Sequence, residues 1–172
     1  MSNKAFTLVE LLVTIAIIGI LTVTALVNYR FSNRQLALQR STQKLSQDLR
    51  RAEELAISAK EFGGVIPYGY GVYFDLDDAG HYIMFADSNN DQLYSGTNER
   101  VESVALETSI VLTALDPVTL GSSLTILFMP PDPTVIFDPD ATLATISLNA
   151  AGTPPLSPQN IRVNKAGLIA VE

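Results

Sequence analysis

From Leu11 to Val27 the chain runs for seventeen residues without a charged side chain, Leu-Leu-Val-Thr-Ile-Ala-Ile-Ile-Gly-Ile-Leu-Thr-Val-Thr-Ala-Leu-Val, and Phe6–Leu8 extend the run beyond Glu10. A helix over Phe6–Tyr29 would be roughly 36 Å long at ~1.5 Å per residue, enough to cross a hydrocarbon core of ~30 Å. Thr14, Thr22 and Thr24 fit such a helix, because a helical Thr hydroxyl bonds a carbonyl about one turn back. A cleaved secretory signal is the plain alternative. It needs a small-residue cleavage site after the apolar run, and Val27-Asn28-Tyr29-Arg30 supplies none. Lys4, the single charge ahead of the run, favours the cytoplasmic side for that end.

Glu10 is the odd residue of this segment. An acid in a membrane helix costs on the order of 2.5–3.5 kcal/mol at the bilayer centre and usually has a partner. Either Glu10 sits at headgroup level without a role, or it pairs with a free α-amino group on Phe6 of a neighbouring copy and so fixes axial register. Ala5-Phe6-Thr7-Leu8-Val9-Glu10-Leu11-Leu12-Val13, followed by Ile15-Ala16-Ile17-Ile18-Gly19-Ile20-Leu21, resembles the processing and methylation motif of type IV prepilins and type II secretion pseudopilins. The resemblance implies that prepilin peptidase cuts between Ala5 and Phe6, that residues 1–5 are a leader, and that the Phe6 amine is methylated. It also implies that Glu10 is the acid used in cleavage, methylation and assembly. The chain departs from the family at Ala5, usually glycine, and at Val27, near where many members place a helix-kinking proline. Without that proline, Gly19 is the only intrinsic weak point of the membrane half.

After Tyr29 the pattern becomes one-sided. Leu38, Leu45, Leu49, Ala52, Ala56 and Ala59 recur at spacings of 7, 4, 3, 4 and 3, one face of a 3.6-residue helix. The helix is therefore expected over Phe6–Lys60, ended by Gly63-Gly64 and Pro67. Its first half, 6–29, is the membrane and assembly part, and its second, 30–61, packs on a globular head spanning 62–172. Arg30, Arg34, Arg40, Lys44, Arg50 and Arg51 fall mostly off the apolar stripe and read as a solvated face with i,i+4 partners such as Arg50 and Glu54.

From Tyr68 the period becomes two. Nine β-rich runs follow, at Tyr70–Phe74, Tyr82–Ala86, Val101–Leu106, Ile110–Leu115, Leu124–Met129, Val135–Phe137, Leu143–Leu148, Ile161–Val163 and Leu168–Val171, separated by Gly, Pro, Asp and Asn clusters. Prolines at 130, 131, 133 and 139 and at 154, 155 and 158 mark loops. The fold class is thus α+β: a long N-terminal helix, its first half transmembrane, and its second half on an antiparallel sheet. The order of elements and the closing Ile161-Arg162-Val163 and Gly167–Val171 segment are similar to the minor-pilin branch that includes the pseudopilin GspH and the pilin FimT.

Chemistry is thin. Residues 1–61 carry 8 basic and 5 acidic side chains, whereas 62–172 carry 3 and 13, a poor composition for grasping phosphates. His81 is the only histidine and sits in an alternating run, as a strand residue would. There is no nucleophile elbow, phosphate loop or histidine pair for a metal triad. With no cysteine, disulfides and thiolate metal sites are excluded, and oxygen ligands remain. Asp87, Asn89 and Asp91 have the one-three-five spacing that wraps oxygens around Ca²⁺. The pattern breaks at Gln92, where a sharp-turn glycine belongs, and at the twelfth position, Asn98, with Glu99 one place too late. Asx residues also make tight turns for local reasons, so a hairpin connection explains the same spacing. Some pilin-like subunits use calcium where others use a disulfide, and the resemblance therefore favours Ca²⁺ as the one cofactor to test.

The resemblance implies a structural, non-enzymatic subunit that starts in the inner (cytoplasmic) membrane and ends in a periplasmic or cell-surface filament. Its partners would be prepilin peptidase, sister subunits, the inner-membrane assembly platform and membrane lipids, with nucleic acid not expected. Two other classes compete. One is a DNA-binding minor pilin for natural transformation, opposed by the acidic head. The other is a signal-anchored surface binding domain.

Overall fold

The computed structural model describes residues 7–118, 122–130, 134–152 and 155–172, and at 24–28 the backbone alone. Pro131, Pro133 and Pro154 lie outside the described residues.

A single helix, α1, spans Leu8–Ile57, 50 residues or roughly 75 Å. Thr7 caps it, its hydroxyl accepting the Glu10 backbone N–H at 3.3 Å. The C-terminus falls three residues before the expected Lys60. Ala59 adopts the left-handed region at φ 48°, Lys60 N–H donates to the Leu55 carbonyl at 3.1 Å, and Ala59 N–H donates to Ala56 at 3.0 Å. This pair of bonds closes the last turn, a geometry usually built on glycine. Ala59 is therefore exposed and leaves the apolar stripe it was expected to continue. Gly63 and Gly64 shape the next turn instead.

Nine strands follow, one at each expected run: β1 Gly69–Asp75, β2 His81–Asp87, β3 Arg100–Ala105, β4 Ile110–Asp116, β5 Ser123–Met129, β6 Thr134–Asp138, β7 Leu143–Ala150, β8 Gln159–Asn164 and β9 Ile169–Val171. They form two antiparallel sheets, with orders β3-β2-β1-β5-β6 and β4-β7-β8-β9. Period-two alternation tells which residues share a face but not which strands pair, so the expected single sheet resolves into two. The second half of α1 lies against both, on β1 and β5 of the larger and β7, β8 and β9 of the smaller.

Leu38, Leu45, Leu49, Ala52 and Ala56 are buried with Val72, Phe74, Ile126, Ile146, Leu148, Ile161 and Val163 in one core. Small Ala52 and Ala56 let the helix approach the strands closely, and Tyr70 and Tyr82 fasten it by hydrogen bonds to the Lys60 carbonyl and the Asp48 carboxylate. Burial, reinforced by the bond to Asp48, pushes the Tyr82 phenol up, so it remains a donor across the working pH range.

The outer face of the larger sheet is also covered near β2. Phe85 lies against β1 at Gly71, where a Cβ would meet the Ile126 carbonyl oxygen at 2.5 Å and the Phe85 ring at 2.7 Å. Tyr94, from the loop after β2, stacks on Tyr73 and Phe85 with ring centroids 5.2 and 5.7 Å away. That loop therefore acts as a lid of packed side chains, and Asp87 at its root is fully buried.

Candidate functional site

The N-terminal segment is exposed along its whole described length. Every side chain from Leu8 to Val23 lies open, Leu8 at 79% and Val23 at 64%, a largely apolar surface that the described part of the head leaves exposed. Soluble monomers rarely carry such a surface, and one this large marks a membrane or protein contact. Thr14 and Thr22 donate to the Leu11 and Ile18 carbonyls, each at 2.8 Å, hiding their hydroxyls as expected. The Thr24 side chain lies outside the described residues, as do Ala5 and Phe6. Among the described residues no helix is long and apolar enough to cross a membrane; the expected span Phe6–Tyr29 includes Phe6 and the side chains at 24–28. Glu10 is exposed in the first turn of α1, where the helix dipole favours an acid.

The cations of α1 are placed differently from the expectation. Arg40 forms a two-pronged pair with Glu107, Nε to Oε1 and Nη2 to Oε2 both at 2.8 Å, and Arg51 reaches Glu102 at 3.0 Å. Arg34 donates to the Ala150 carbonyl. These are long-range clasps that hold the helix on β3, on the segment before β4, and on the end of β7. Among the described residues the Arg50–Glu54 pair does not form and Arg50 stays on the solvated face, while Arg40 and Arg51 lie close enough to the strand edges to reach acids of the head. Bonding to Arg40 holds the Glu107 carboxyl below the usual carboxylate range.

The acidic loop brings two of the three expected ligands together and adds a third. Asp87 accepts from the Asn90 N–H at 2.6 Å and the Gln92 N–H at 3.2 Å. Asp91 accepts from the Leu93 N–H at 2.9 Å and from the Ser95 hydroxyl, and the Ser95 bond leads the effects that hold its carboxyl below the usual range. Glu99, 3% exposed, accepts from Ser88 and Ser95 N–H at 3.2 and 2.9 Å. One oxygen each from Asp87, Asp91 and Glu99 lies within 4.8 Å of the others. Asn89 is exposed and bonded to its neighbour, its carbonyl taking the Asp91 N–H at 2.9 Å and its amide donating to Asp91 at 2.8 Å. It is thus a loop brace and not one of the converging carboxylates.

Glu99 was missed because a loop pattern counted along the chain ignores the hairpin. The Ala86 N–H donates to the Glu99 carbonyl at 2.8 Å, which sets Glu99 across the strand pair from the end of β2. Pairing β2 with β3 in the sequence would have placed it there. Gln92 takes the left-handed backbone at φ 65° that a glycine was expected to supply. At an effective dielectric constant of ~20, ionised carboxylates this close repel by on the order of 3 kcal/mol per pair. A hard divalent cation would turn that repulsion into ligation.

His81 opens β2, exposed, with Nδ1 2.9 Å from Asp78 Oδ1. It faces no nucleophile, and among the described residues no second histidine joins it.

Residues 1–26 match the family model described as the prokaryotic N-terminal methylation motif. The chain thus carries a prepilin-type N-terminus, which supports a pilin-like structural subunit, processing by prepilin peptidase and assembly with other pilins. Comparison with characterised proteins and with solved structures gives no match.

Proposed function

We propose that this chain is a filament subunit of a type IV pilus or type II secretion pseudopilus. Prepilin peptidase cleaves it between Ala5 and Phe6 and the new Phe6 amine is methylated. The apolar half of α1 holds the precursor in the inner membrane and then packs among sister helices in the filament, with the head at the periplasm or cell surface. Catalysis is not part of this role. The observation that carries the reading is continuity: the matched motif runs directly into one unbroken helix, apolar and exposed at its first half and packed on a head by one face at its second.

Glu10 has its part in the step from membrane to filament. In a packed apolar bundle its carboxylate pairs with the Phe6 amine of a neighbour, so that one axial stagger is preferred over others. Glu10→Ala should leave the head folded, with an unchanged melting temperature, while filament yield falls sharply; wild-type filament yield from that variant would remove the pairing from the account.

Within that family our reading is a minor subunit of the GspH and FimT branch, supported by the order of one long helix followed by antiparallel strands. Within the same reading, Asp87, Asp91 and Glu99 hold Ca²⁺ as a staple for a loop that has no cysteine to lock it. The DNA-binding alternative loses support because Arg40 and Arg51 are committed to Glu107 and Glu102 of the head.

A further inference from the structure

At the end of α1 farthest from the motif, the chain makes a small protruding turn. Phe62 and Val65 exchange backbone hydrogen bonds at 2.8 and 3.2 Å, and Gly63 and Gly64 form its tip with φ 62° and 84°. Val65 and Ile66 stand on this turn 69% and 56% exposed, and among the described residues no other group bonds the Gly63 and Gly64 peptides. An apolar knob with unsatisfied peptide groups is held out into solvent.

At the other end of the head, where α1 leaves it toward the apolar half, a groove of about 260 Å³ opens between the helix and the segment before β8. Phe31, Leu38, Pro155 and Leu156 give it apolar walls, and the exposed amides of Gln35 and Gln39 line it with both donors and acceptors. Neither amide has a partner among the described residues. The groove therefore offers what the turn lacks: apolar contact for Val65 and Ile66 and hydrogen-bond partners for two glycine peptides.

Knob and groove cannot meet in one molecule, because Gln35 and Ile57 are separated along a continuous helix by roughly 33 Å at ~1.5 Å per residue. We propose that the occupant is a second copy of this chain, with the Gly63–Ile66 turn of one subunit seated in the Phe31–Leu156 groove of the next. The two patches differ, so the contact is heterologous, and repeating it along the helix axis gives an open filament and not a closed dimer. The groove begins at Phe31, on the same helix as the exposed apolar side chains from Leu8 to Val23, so a copy seated in it approaches the helix from the side of the head. This contact rests on the filament-subunit reading and supplies its head-to-head partner surfaces.

The chain has no cysteine, so paired Cys substitutions give a clean test in assembled filaments. Val65→Cys with Leu156→Cys, mildly oxidised, should yield a ladder of covalent dimers and higher multiples, while either single variant yields none. Val65 is exposed and Leu156 half-buried at the edge of the core, so the melting temperature of each single variant checks that the head still folds. Filaments from the double variant without a ladder would overturn the contact and leave the subunit reading standing. Dimers from Val65→Cys alone would overturn it in favour of a symmetric contact. A wild-type chain that neither loses residues 1–5 nor assembles would overturn the reading beneath it, and the contact with it.

Discussion

One helix lives in two environments. Between Leu38 and Ala56 a stripe of apolar side chains is buried under two sheets, whereas between Leu8 and Val23 they point in all directions and lie exposed among the described residues. The first region is stabilised inside the molecule, by burial at roughly 25 cal/mol per Å². The second can be stabilised only by lipid or by other copies. Hydrophobicity alone does not separate the two. What does is the width of the apolar face, a stripe for a helix that packs on a sheet and a full circumference for one that must be surrounded.

The sharpest way to break this contrast is to make the same kind of truncation in both halves. Leu49→Ala should cost the head about 2–5 kcal/mol, because a fully buried side chain leaves a cavity. Ile17→Ala should change head stability by less than about 0.5 kcal/mol and act on assembly instead. Denaturant titration in detergent, followed by the head's aromatic signals, measures both. Equal losses would mean that the exposed half contributes to the head's fold.

The acidic loop comes next. Calcium at 100 times its dissociation constant would stabilise the head by about 2.7 kcal/mol. The melting temperature should therefore rise between EDTA and millimolar calcium, and Glu99→Gln should abolish the rise. An unchanged midpoint would leave Asp87, Asp91 and Glu99 as a turn scaffold sustained by their own N–H donors. Gly71→Ala should cost about 1–3 kcal/mol, since the new methyl group meets the Ile126 carbonyl at 2.5 Å and the Phe85 ring must shift. The same change at Gly19, which has nothing within 4 Å, should leave the head untouched.

The smallest effect belongs to the clasp between α1 and the head. Glu107 has a depressed carboxyl in the folded state, so its contribution is present above the ordinary value near ~4.3 and is lost as pH falls below it. A melting-temperature profile from pH 7 to 3 should fall less steeply for Glu107→Gln than for wild type. High salt should shrink the difference, because both partners are exposed. Identical profiles would remove Arg40–Glu107 from the forces holding the helix down.

Most of the fold was legible because its signals are local. The apolar circumference, the stripe from Leu38 to Ala56 and the nine β-rich runs are each read within one element. Most of the misses are relations between elements. Two sheets could not be told from one, and Arg40 and Arg51 found acids 67 and 51 residues away instead of one turn along. Ala59 ended a helix in a left-handed conformation that its sequence does not advertise. At the loop, Asp87 and Asp91 were visible in their spacing. Glu99 was hidden because its place is set by the pairing of β2 with β3, and the spacing that singled out Asn89 did not show that both ends of its amide bond Asp91.

The account stands on the first residues of the processed chain. Intact-mass and N-terminal peptide analysis of the protein, purified from cells that contain prepilin peptidase, tests it most directly. The result predicted is a chain beginning at Phe6 and carrying one added methyl group on its amine. A chain that retains residues 1–5, or that is cut after the apolar run instead, would contradict it.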